Sequence, residues 1–440
     1  MTVVQRIRLH AQPYWECPFL SSVVFVQLTG AKWIRPRNHS PRLCLAWRTK
    51  RFILRGLMAE SFQHLLKATS RSFYLTLRVL PARVRPQIGL AYLLARTTDT
   101  IADTEIVPLA QRLDALQELR DRISGRTSAP LNFRELARQQ GSPAEKLLLE
   151  KVEDALAVLP TLSPDDLNLL REVLITITSG QELDLRRFAG SAGLRPAVGG
   201  VAPQTSSQQF TSETNKFVHE AGGVTPSAAR ETRALPKIIA LETAAELDDY
   251  TYRVAGCVGE FWTKICRAHL FSNARLDEKQ FIADGIRFGK GLQLVNILRD
   301  LPADLKNGRC YLPAQRLDGA KLSPETLLSP VNEQKFLPLY REYLDQAEAH
   351  LATGWRYTNT LPFGQFRVRL ACAWPILIGW RTLEKLRAAG VIELQQRVKV
   401  SRGEVKKIIL VSLLACPVPF VWRKLCAPAA KAVASGGEFA

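Results

Sequence analysis

Two acidic pairs with the same spacing constrain this chain more than any other feature: Asp99 with Asp103, and Asp300 with Asp304. Residues four apart lie on one face of an α-helix, so each pair would direct two carboxylates to one point. Such like charges destabilise a helix by roughly 0.2–0.5 kcal/mol unless a cation lies between them. Mg²⁺ typically takes one or two protein carboxylates and completes its shell with water and phosphate oxygens. The spacing therefore predicts two sites that each bind Mg²⁺ and a diphosphate group.

Each pair continues upstream as a polar stripe at helical spacing among apolar neighbours. The stripes consist of Tyr92, Arg96, Asp99 and Asp103 in the first case, and of Gln293, Asn296, Asp300 and Asp304 in the second. Polar groups in such surroundings are costly to bury unless they find partners. Arg96, Arg299 and Arg309 suit phosphate oxygens, because a guanidinium binds them bidentately. A single acidic pair is most often a solvated helix face, but two matching stripes favour a functional site.

The net charge of +19 is unevenly distributed along the 440 residues. Residues 1–57 contain eight arginines and two lysines against the single acid Glu16, a net charge of +9. The basic remainder suits an anionic substrate or an anionic membrane surface. No zinc finger, RNP-like or basic-aromatic motif supports binding to nucleic acid, so that class of partner is not expected.

The cysteines indicate the compartment of the protein. The eight cysteines form no CxxC motif and no cluster with histidine. This argues against structural zinc and for reduced thiols in a cytosolic protein.

No apolar run reaches 18 residues, so a membrane-spanning helix is not expected. The stretch 408–422, which ends in an aromatic and basic segment, suits peripheral membrane contact or a plain C-terminal helix.

Composition also predicts the domain boundaries. Residues 1–57 lack helical periodicity and hold four prolines. Because a helical pattern starts at Met58, we expect 1–57 to be a disordered or artefactual extension. Residues 190–236 are rich in Gly, Ala, Ser, Thr, Gln and Pro, a composition that buries too little apolar surface to order the chain. We interpret them as a flexible insertion, or as a lid, within a catalytic domain over 58–425, with a flexible tail over 426–440.

Helical patterns dominate from residue 58 onward, with Pro, Gly and Asn largely between them. They cover 59–78, 83–103, 108–124, 143–158, 165–188, 241–270, 276–305, 332–353, 365–388 and 402–415. No regular alternation of strands and turns interrupts them. The pattern predicts an all-α protein built as a single large bundle. Pro302, inside the second acidic pair, should bend or end its helix because it lacks a backbone N–H.

Five segments, in order along the chain, resemble the squalene/phytoene synthase family. They are 70–73, 96–103, 180–184, 250–259 and 291–304 together with 308–313. The resemblance implies the all-α isoprenoid-synthase fold, with a central cavity. It also implies a Mg²⁺-dependent prenyltransferase that joins two isoprenoid diphosphates head to head.

The resemblance further implies the roles of individual residues. Metal ions would be held by Asp99, Asp103, Asp300 and Asp304. The substrate diphosphates would contact Ser70, Arg71, Phe73, Arg96, Gln293, Asn296, Arg299 and Arg309. Small residues such as Gly180, Ala255 and Gly259 would leave room for apolar tails, although close helix packing explains Gly259 equally well.

Tyrosines would stabilise a carbocation with their π-faces or relay a proton to the departing pyrophosphate. The candidates are Tyr252, Tyr250 and Tyr92. Some relatives place a tyrosine directly before Val-Ala-Gly, where this chain has Arg253. The identity of the proton-handling tyrosine therefore stays open at this point.

The C-terminal part resembles the squalene-forming branch, in which a basic loop lies near NADPH. Lys399 and Arg402 would then contact the cofactor phosphates, or they form a solvated basic turn. We favour a squalene synthase, which converts two farnesyl diphosphates to presqualene diphosphate and reduces this to squalene with NADPH. The alternative is a non-reductive member that makes phytoene, dehydrosqualene, hydroxysqualene or presqualene diphosphate.

Two other classes fit the sequence less well. A non-catalytic helical scaffold on membranes would not need paired acids inside polar stripes. An unrelated terpene cyclase or a chain-elongating prenyltransferase would carry doubled aspartates, and neither acidic pair has them.

Overall fold

The computed structural model describes residues 64–69, 73–189, 238–327, 329–389 and 398–425. The segments predicted to be an N-terminal extension, an insertion and a C-terminal tail lie outside these residues, as do Ser70 and Arg71. Almost all regular structure in the described part is helical, which confirms the all-α prediction.

The helices follow the predicted order. Before the insertion they are α1 (Phe73–Val79), α2 (Arg85–Ala102), α3 (Leu109–Ser124), α4 (Arg134–Arg138), α5 (Pro143–Glu150), α6 (Val152–Leu156) and α7 (Pro164–Arg187). After it they are α8 (Ala244–Thr251), α9 (Cys257–Leu270), α10 (Glu278–Lys306), α11 (Ala314–Gly319), α12 (Glu333–Thr360), α13 (Phe366–Ala388), α14 (Arg402–Ala415) and α15 (Pro419–Lys424). Residues 64–69 are helical as well. We call α2 the first acidic helix and α10 the second acidic helix.

Local sequence signals explain where several helices begin. Ser163 precedes Pro164 at the start of α7, and its hydroxyl accepts a hydrogen bond from the Asp166 backbone N–H. Asp277 caps the second acidic helix in the same way. Such caps satisfy backbone donors that a helix start leaves unpaired.

Two short strands interrupt the helical order, and the sequence patterns did not predict them. β1 (Ile239–Leu241) and β2 (Arg309–Pro313) pair in parallel, with Ile239 opposite Arg309. β2 begins just after the second acidic helix ends and carries Arg309 and Tyr311. The strand pair therefore fixes the backbone positions of Arg309 and Tyr311, a few residues after the second acidic pair.

The second acidic helix lies at the centre of the fold. It packs against α8, α9, α12, α13 and β2, and its buried residues occur on every side of the helix. Contact with α9 is closest at the glycines: a Cβ on Gly259 would lie 1.9 Å from the Gly285 carbonyl oxygen. Close helix packing, rather than room for apolar tails, therefore explains Gly259.

The predicted helix over 241–270 is divided. α8 and α9 are joined by a π-helical turn, Tyr252–Gly256. Such turns insert one extra residue into a helix and rotate the side chains that follow. Tyr250 therefore belongs to α8, whereas Tyr252 is the first residue of the π-helical turn.

Pro302 does not end the second acidic helix, which continues to Lys306. In a regular helix the N–H of residue 302 would bond the carbonyl of Leu298. The hydroxyl of Tyr340 donates to that carbonyl instead, at 3.0 Å. Because a buried phenol replaces the missing donor, the helix tolerates proline at this position.

None of the helices in the described residues is both long and apolar enough to span a bilayer.

Candidate active site

The first acidic pair lies at the end of the first acidic helix. Asp99 is in its last turn, and Asp103 is the residue that caps it. The amide Nε2 of Gln181 on α7 donates to Asp99 Oδ1 at 2.6 Å, and a guanidinium nitrogen of Arg96 lies 3.8 Å from Asp99 Oδ2. Desolvation and the neighbouring Asp103 raise the pKa of Asp99 to about 7, although Arg96 and Gln181 oppose the shift. The positive charge of Arg96 therefore does not cancel the repulsion between Asp99 and Asp103 and the cost of their burial.

Arg96 links this pair to α5, since its guanidinium also contacts the carboxylate of Glu145. Desolvation raises the pKa of Asp103, while the positive charges of Arg96 and Arg309 lower it. Both guanidiniums therefore lie within electrostatic reach of the first pair, where a phosphate group would need them.

The second acidic pair is arranged differently. Asp300 accepts two hydrogen bonds from its neighbour Arg299, from Nε at 3.0 Å and from Nη2 at 2.5 Å. One turn upstream, the amide of Asn296 donates to Gln293 Oε1 at 3.5 Å. The predicted stripe is present, but its first carboxylate is already paired with an arginine.

Tyr250 lies within electrostatic reach of one carboxylate from each pair. Its ring stacks on that of Tyr311, with centroids 4.7 Å apart and planes 22° from parallel. Burial, and then the negative charges of Asp184, Asp304 and Asp99, raise the pKa of Tyr250. One buried phenol is thus influenced by a carboxylate from each pair. The two acidic helices, about 200 residues apart in sequence, converge on one site.

A third carboxylate completes this cluster. Asp184 on α7 accepts a hydrogen bond from the Tyr311 hydroxyl at 3.0 Å. Burial raises the pKa of Asp184 to about 6, against the influence of Arg309 and Tyr311. Arg309 in turn donates to Glu105 at 3.1 Å, just beyond the first acidic helix. Arg309 therefore lies within electrostatic reach of both Asp184 and Asp103.

The donor set suits Mg²⁺ bound together with a diphosphate. Within the described residues, no three His, Cys, Asp or Glu side chains form a ready metal cage. Mg²⁺ needs only one or two carboxylates when substrate oxygens complete its shell. Asp99 and Asp103 meet this requirement, whereas Asp300 would have to give up its bonds to Arg299.

Comparison with known proteins agrees with this geometry. A family model described as squalene/phytoene synthase matches residues 66–404. The chain belongs to the squalene/phytoene synthase family. Enzymes of this family are prenyltransferases of isoprenoid biosynthesis that act on isoprenoid diphosphates.

Individual relatives show how far the likeness extends. The chain is 28% identical to a presqualene diphosphate synthase of Sinorhizobium fredii, over 61% of this chain and 68% of the relative. It is 32% identical to a bifunctional lycopene cyclase/phytoene synthase of Arthroderma gypseum, over 24% of this chain. That match spans only 18% of the relative's length.

Solved structures share the fold. A complex of TcSQS with the ligand BPH1237 superposes with a TM-score of 0.61 at 17% identity, over 87% of this chain and 93% of that one. A dehydrosqualene synthase with ligand gives a TM-score of 0.51 at 18% identity, over 81% of this chain and 96% of that one. These likenesses confirm the isoprenoid-synthase fold predicted from the squalene/phytoene synthase resemblance.

The structure separates the three candidate tyrosines of this family member. Tyr250 belongs to the acidic cluster. The hydroxyl of Tyr252 donates to Glu260 at 3.1 Å, and its ring lines a different cavity of about 150 Å³ with Lys264 and Phe261. The hydroxyl of Tyr92 donates to the Thr69 carbonyl at 3.1 Å.

Arg253 replaces the tyrosine that some family members carry before Val-Ala-Gly. Its guanidinium donates to Asp249 at 2.7 Å and to Ser179 at 2.9 Å. The bond to Ser179 ties the π-helical turn to α7, and the bond to Asp249 ties it to α8. A Cβ on Gly180 would lie 3.0 Å from that of Arg253, so this glycine also serves packing.

The two proposed NADPH residues lie elsewhere on the chain. Lys399 and Arg402 are exposed, at the start of α14. There Ser401 and Glu404 form a capping box, and Glu404 also accepts hydrogen bonds from Arg381 and Lys385. Phe73 begins α1, but its side chain is outside the described set.

Several residues of the cluster received no role from the sequence. Gln181, Asp184 and Tyr311 lie inside segments that carry the family resemblance, so that resemblance could have identified them. Glu105 and Glu145 had no such signal, because only the folded chain brings them to Arg309 and Arg96.

Proposed function

We propose that this chain is a Mg²⁺-dependent synthase that joins two farnesyl diphosphates head to head, forms presqualene diphosphate and reduces it with NADPH to squalene. The observation that carries the condensation is the convergence of both acidic pairs on Tyr250. Two carboxylate pairs in one site suit two diphosphate-bearing substrates, one for each pair.

Charge neutralisation is the first task of such a site. Loss of a diphosphate group builds negative charge on its oxygens, and fixed cations stabilise that charge as it develops. Arg96 and Arg309 flank the first pair and are the side chains we assign to it. Arg299 serves the second pair, where it moves from Asp300 to phosphate oxygens as substrate binds. Bound Mg²⁺ supplies the remaining positive charge, and the four aspartates would hold it.

Protection of the carbocation is the second task. The stacked rings of Tyr250 and Tyr311 present π-faces beside the acids, and an aromatic face attracts a cation. The bond from the Tyr311 hydroxyl to Asp184 fixes that ring. Because burial raises the pKa of both phenols, they stay protonated and able to donate. We assign proton handling to Tyr250 and Tyr311 rather than to Tyr252, because the Tyr252 hydroxyl bonds Glu260 outside the acidic cluster.

The reductive step rests on Lys399 and Arg402, which would bind NADPH phosphates. A second candidate function omits this step, so that the product leaves without reduction. Relatives named as presqualene diphosphate synthase and phytoene synthase favour it.

The test is incubation of the purified full chain with farnesyl diphosphate and Mg²⁺, with and without NADPH, followed by product identification. We expect presqualene diphosphate as the product without NADPH, and squalene as the product with NADPH. The same product under both conditions selects the second candidate, and no head-to-head product rejects both.

A matched pair of variants ties the result to the site. Asp99→Asn should abolish product, whereas Asp114→Asn, at an exposed acid on α3, should leave it unchanged. Neutralising Lys399 and Arg402 should raise the apparent KM for NADPH alone, with each lost charge-assisted contact costing about 1.5–3 kcal/mol.

A further inference from the structure

Two glutamates bind the arginines that flank the first acidic pair. The guanidinium of Arg96 contacts the carboxylate of Glu145 on α5, whereas one of its nitrogens lies 3.8 Å from Asp99 Oδ2. The guanidinium of Arg309 donates to Glu105 at 3.1 Å, just beyond the first acidic helix. Each arginine therefore has a glutamate as a hydrogen-bonding partner, although it lies within electrostatic reach of the aspartates.

All four of these side chains act on Asp103. Desolvation is the main cause of the raised pKa of Asp103; the two guanidiniums oppose this shift, and the two glutamates add to it. Asp103 also interacts with Asp99, Asp184 and the buried Arg112. Together these groups comprise five carboxylates and three guanidiniums. Negative charge therefore exceeds positive charge around the first pair, although both flanking arginines are paired.

The second acidic pair shows what an arginine does when it binds the aspartate itself. Arg299 donates to Asp300 through two nitrogens, at 3.0 and 2.5 Å. A guanidinium bound in this way occupies the carboxylate oxygens that a metal ion would need. Arg96 and Arg309 carry the same charge near the first pair. They would compete with a metal ion there in the same way unless other acids bind them.

We propose that Glu145 and Glu105 draw Arg96 and Arg309 away from the first acidic pair, and so keep its carboxylates available to a divalent cation. Both glutamates are then positioning residues, because they act through the arginines. The same guanidiniums stay close enough to turn from the glutamates to phosphate oxygens when a diphosphate arrives. This role depends on the proposed function, because it matters only where the first pair binds Mg²⁺.

The test is titration of the full chain with Mn²⁺ alone, followed by the loss of the electron paramagnetic resonance signal of the free ion. Mn²⁺ has the charge of Mg²⁺ and also prefers oxygen ligands. Glu145→Gln and Glu105→Gln should each raise the Mn²⁺ dissociation constant by about twofold to fivefold, the scale of one partly exposed ion pair. Asp99→Asn should abolish the site that the glutamate variants weaken.

A double-mutant cycle separates withdrawal of the arginine from simple loss of a nearby negative charge. Arg96→Gln alone should tighten Mn²⁺ binding, because it removes the competing guanidinium. In that background Glu145→Gln should weaken binding less than it does in the wild-type chain, because no guanidinium is released. An equal effect in both backgrounds would show that Glu145 acts only through its own charge, and would overturn the proposal.

Glu348→Gln is a matched control. The side chain of Glu348 is 25% exposed, as is that of Glu145, and it accepts a hydrogen bond from Arg387 at 2.7 Å. This variant should leave Mn²⁺ binding unchanged. Circular dichroism melts establish that each variant is folded. If Glu145→Gln fails to fold, Glu105→Gln decides the question, since its side chain is 43% exposed in the wild-type chain.

Two failures can be told apart. If Asp99→Asn abolishes Mn²⁺ binding but both glutamate variants bind Mn²⁺ as tightly as the wild-type chain, the glutamates lack this role and the proposed function stands. If Asp99→Asn leaves Mn²⁺ binding unchanged, the first pair has no metal role, and the role of the glutamates is overturned with it.

Discussion

The two acidic helices carry carboxylates at the same spacing, yet they present them differently. The first acidic helix ends at Ala102, so Asp103 caps it and is exposed. The second acidic helix continues through Pro302, so Asp304 remains within it and is partly buried. Identical spacing in sequence therefore gives two sites of only approximate symmetry.

Their existing partners differ as well. Asp99 has an amide donor at 2.6 Å and a guanidinium nitrogen at 3.8 Å. Asp300 is bound by both nitrogens of Arg299. The first pair is therefore the more available for a cation. The second pair would become available if a diphosphate drew Arg299 away, as we propose, and we expect the two sites to bind with different affinities.

The largest expected effect comes from removing one carboxylate. Asp99→Asn, Asp103→Asn, Asp300→Asn and Asp304→Asn should each lower kcat by about 100-fold or more, the usual scale for losing an electrostatic stabiliser. Thermal stability should stay unchanged or rise slightly for Asp99→Asn and Asp103→Asn, because like-charge repulsion is relieved. It should fall slightly for Asp300→Asn, because Arg299 loses its partner. Loss of folding with full activity per folded molecule would contradict these roles.

The tyrosines provide the next test, because Tyr250 belongs to the acidic cluster and Tyr252 lines another cavity. Tyr250→Phe and Tyr311→Phe should reduce kcat by about 10-fold to 100-fold through loss of the proton-handling hydroxyls. Tyr252→Phe should change it little, because its hydroxyl bonds Glu260 in a different cavity. Turnover with farnesyl diphosphate measures the effect. If Tyr252→Phe proves the most damaging, the assignment is reversed.

A smaller effect is expected at Pro302, which distinguishes the second acidic helix from the first. Tyr340→Phe should cost about 1–3 kcal/mol of unfolding free energy, because the buried Leu298 carbonyl loses its donor. In a Pro302→Ala background the same substitution should cost less, because alanine supplies the missing N–H. Urea unfolding of the four proteins measures this coupling. Equal costs in both backgrounds would mean that the tyrosine does not compensate for the proline.

The smallest expected effect is a pH dependence at the first pair. The folded pKa of Asp99, about 7, exceeds its ordinary value of 3.8, so wild-type stability falls as pH rises through this range. Asp99→Asn removes the penalty, and its gain over wild type should be larger at pH 8 than at pH 5 without Mg²⁺. About a third of the side chain is exposed, so the gain should stay below about 1 kcal/mol. A gain that does not change with pH would contradict the shift.

Much of the fold was predictable, because helical periodicity is strong in this sequence. Ten predicted helical stretches correspond in order to helices of the structure, with the last, 402–415, matched at both ends. Helix α12 extends past the predicted end to Thr360. The strands were missed because both are short: β1 has three residues and β2 has five. The π-helical turn was missed because one extra residue barely changes the apolar pattern.

The sequence singled out the acidic pairs and Arg96 because chemistry and helical spacing coincide in them, and their role stays a prediction. The cluster around Tyr250 was not, because it depends on distant contacts, such as those of Asp184 with Tyr311 and of Arg309 with Glu105. Pro302 gave a misleading signal. Proline does lack the backbone N–H that would bond the Leu298 carbonyl, but Tyr340 from another helix supplies the missing donor.

The most direct test of two converging sites is the stoichiometry of binding, measured calorimetrically with an unreactive thiodiphosphate analogue of farnesyl diphosphate and Mg²⁺. We expect two analogue molecules to bind per wild-type chain, one for each acidic helix. Asp99→Asn and Asp300→Asn should each lose one of the two, and should keep different ones with different affinities. A single analogue per wild-type chain, or loss of both molecules in either variant, would contradict two sites that converge on Tyr250.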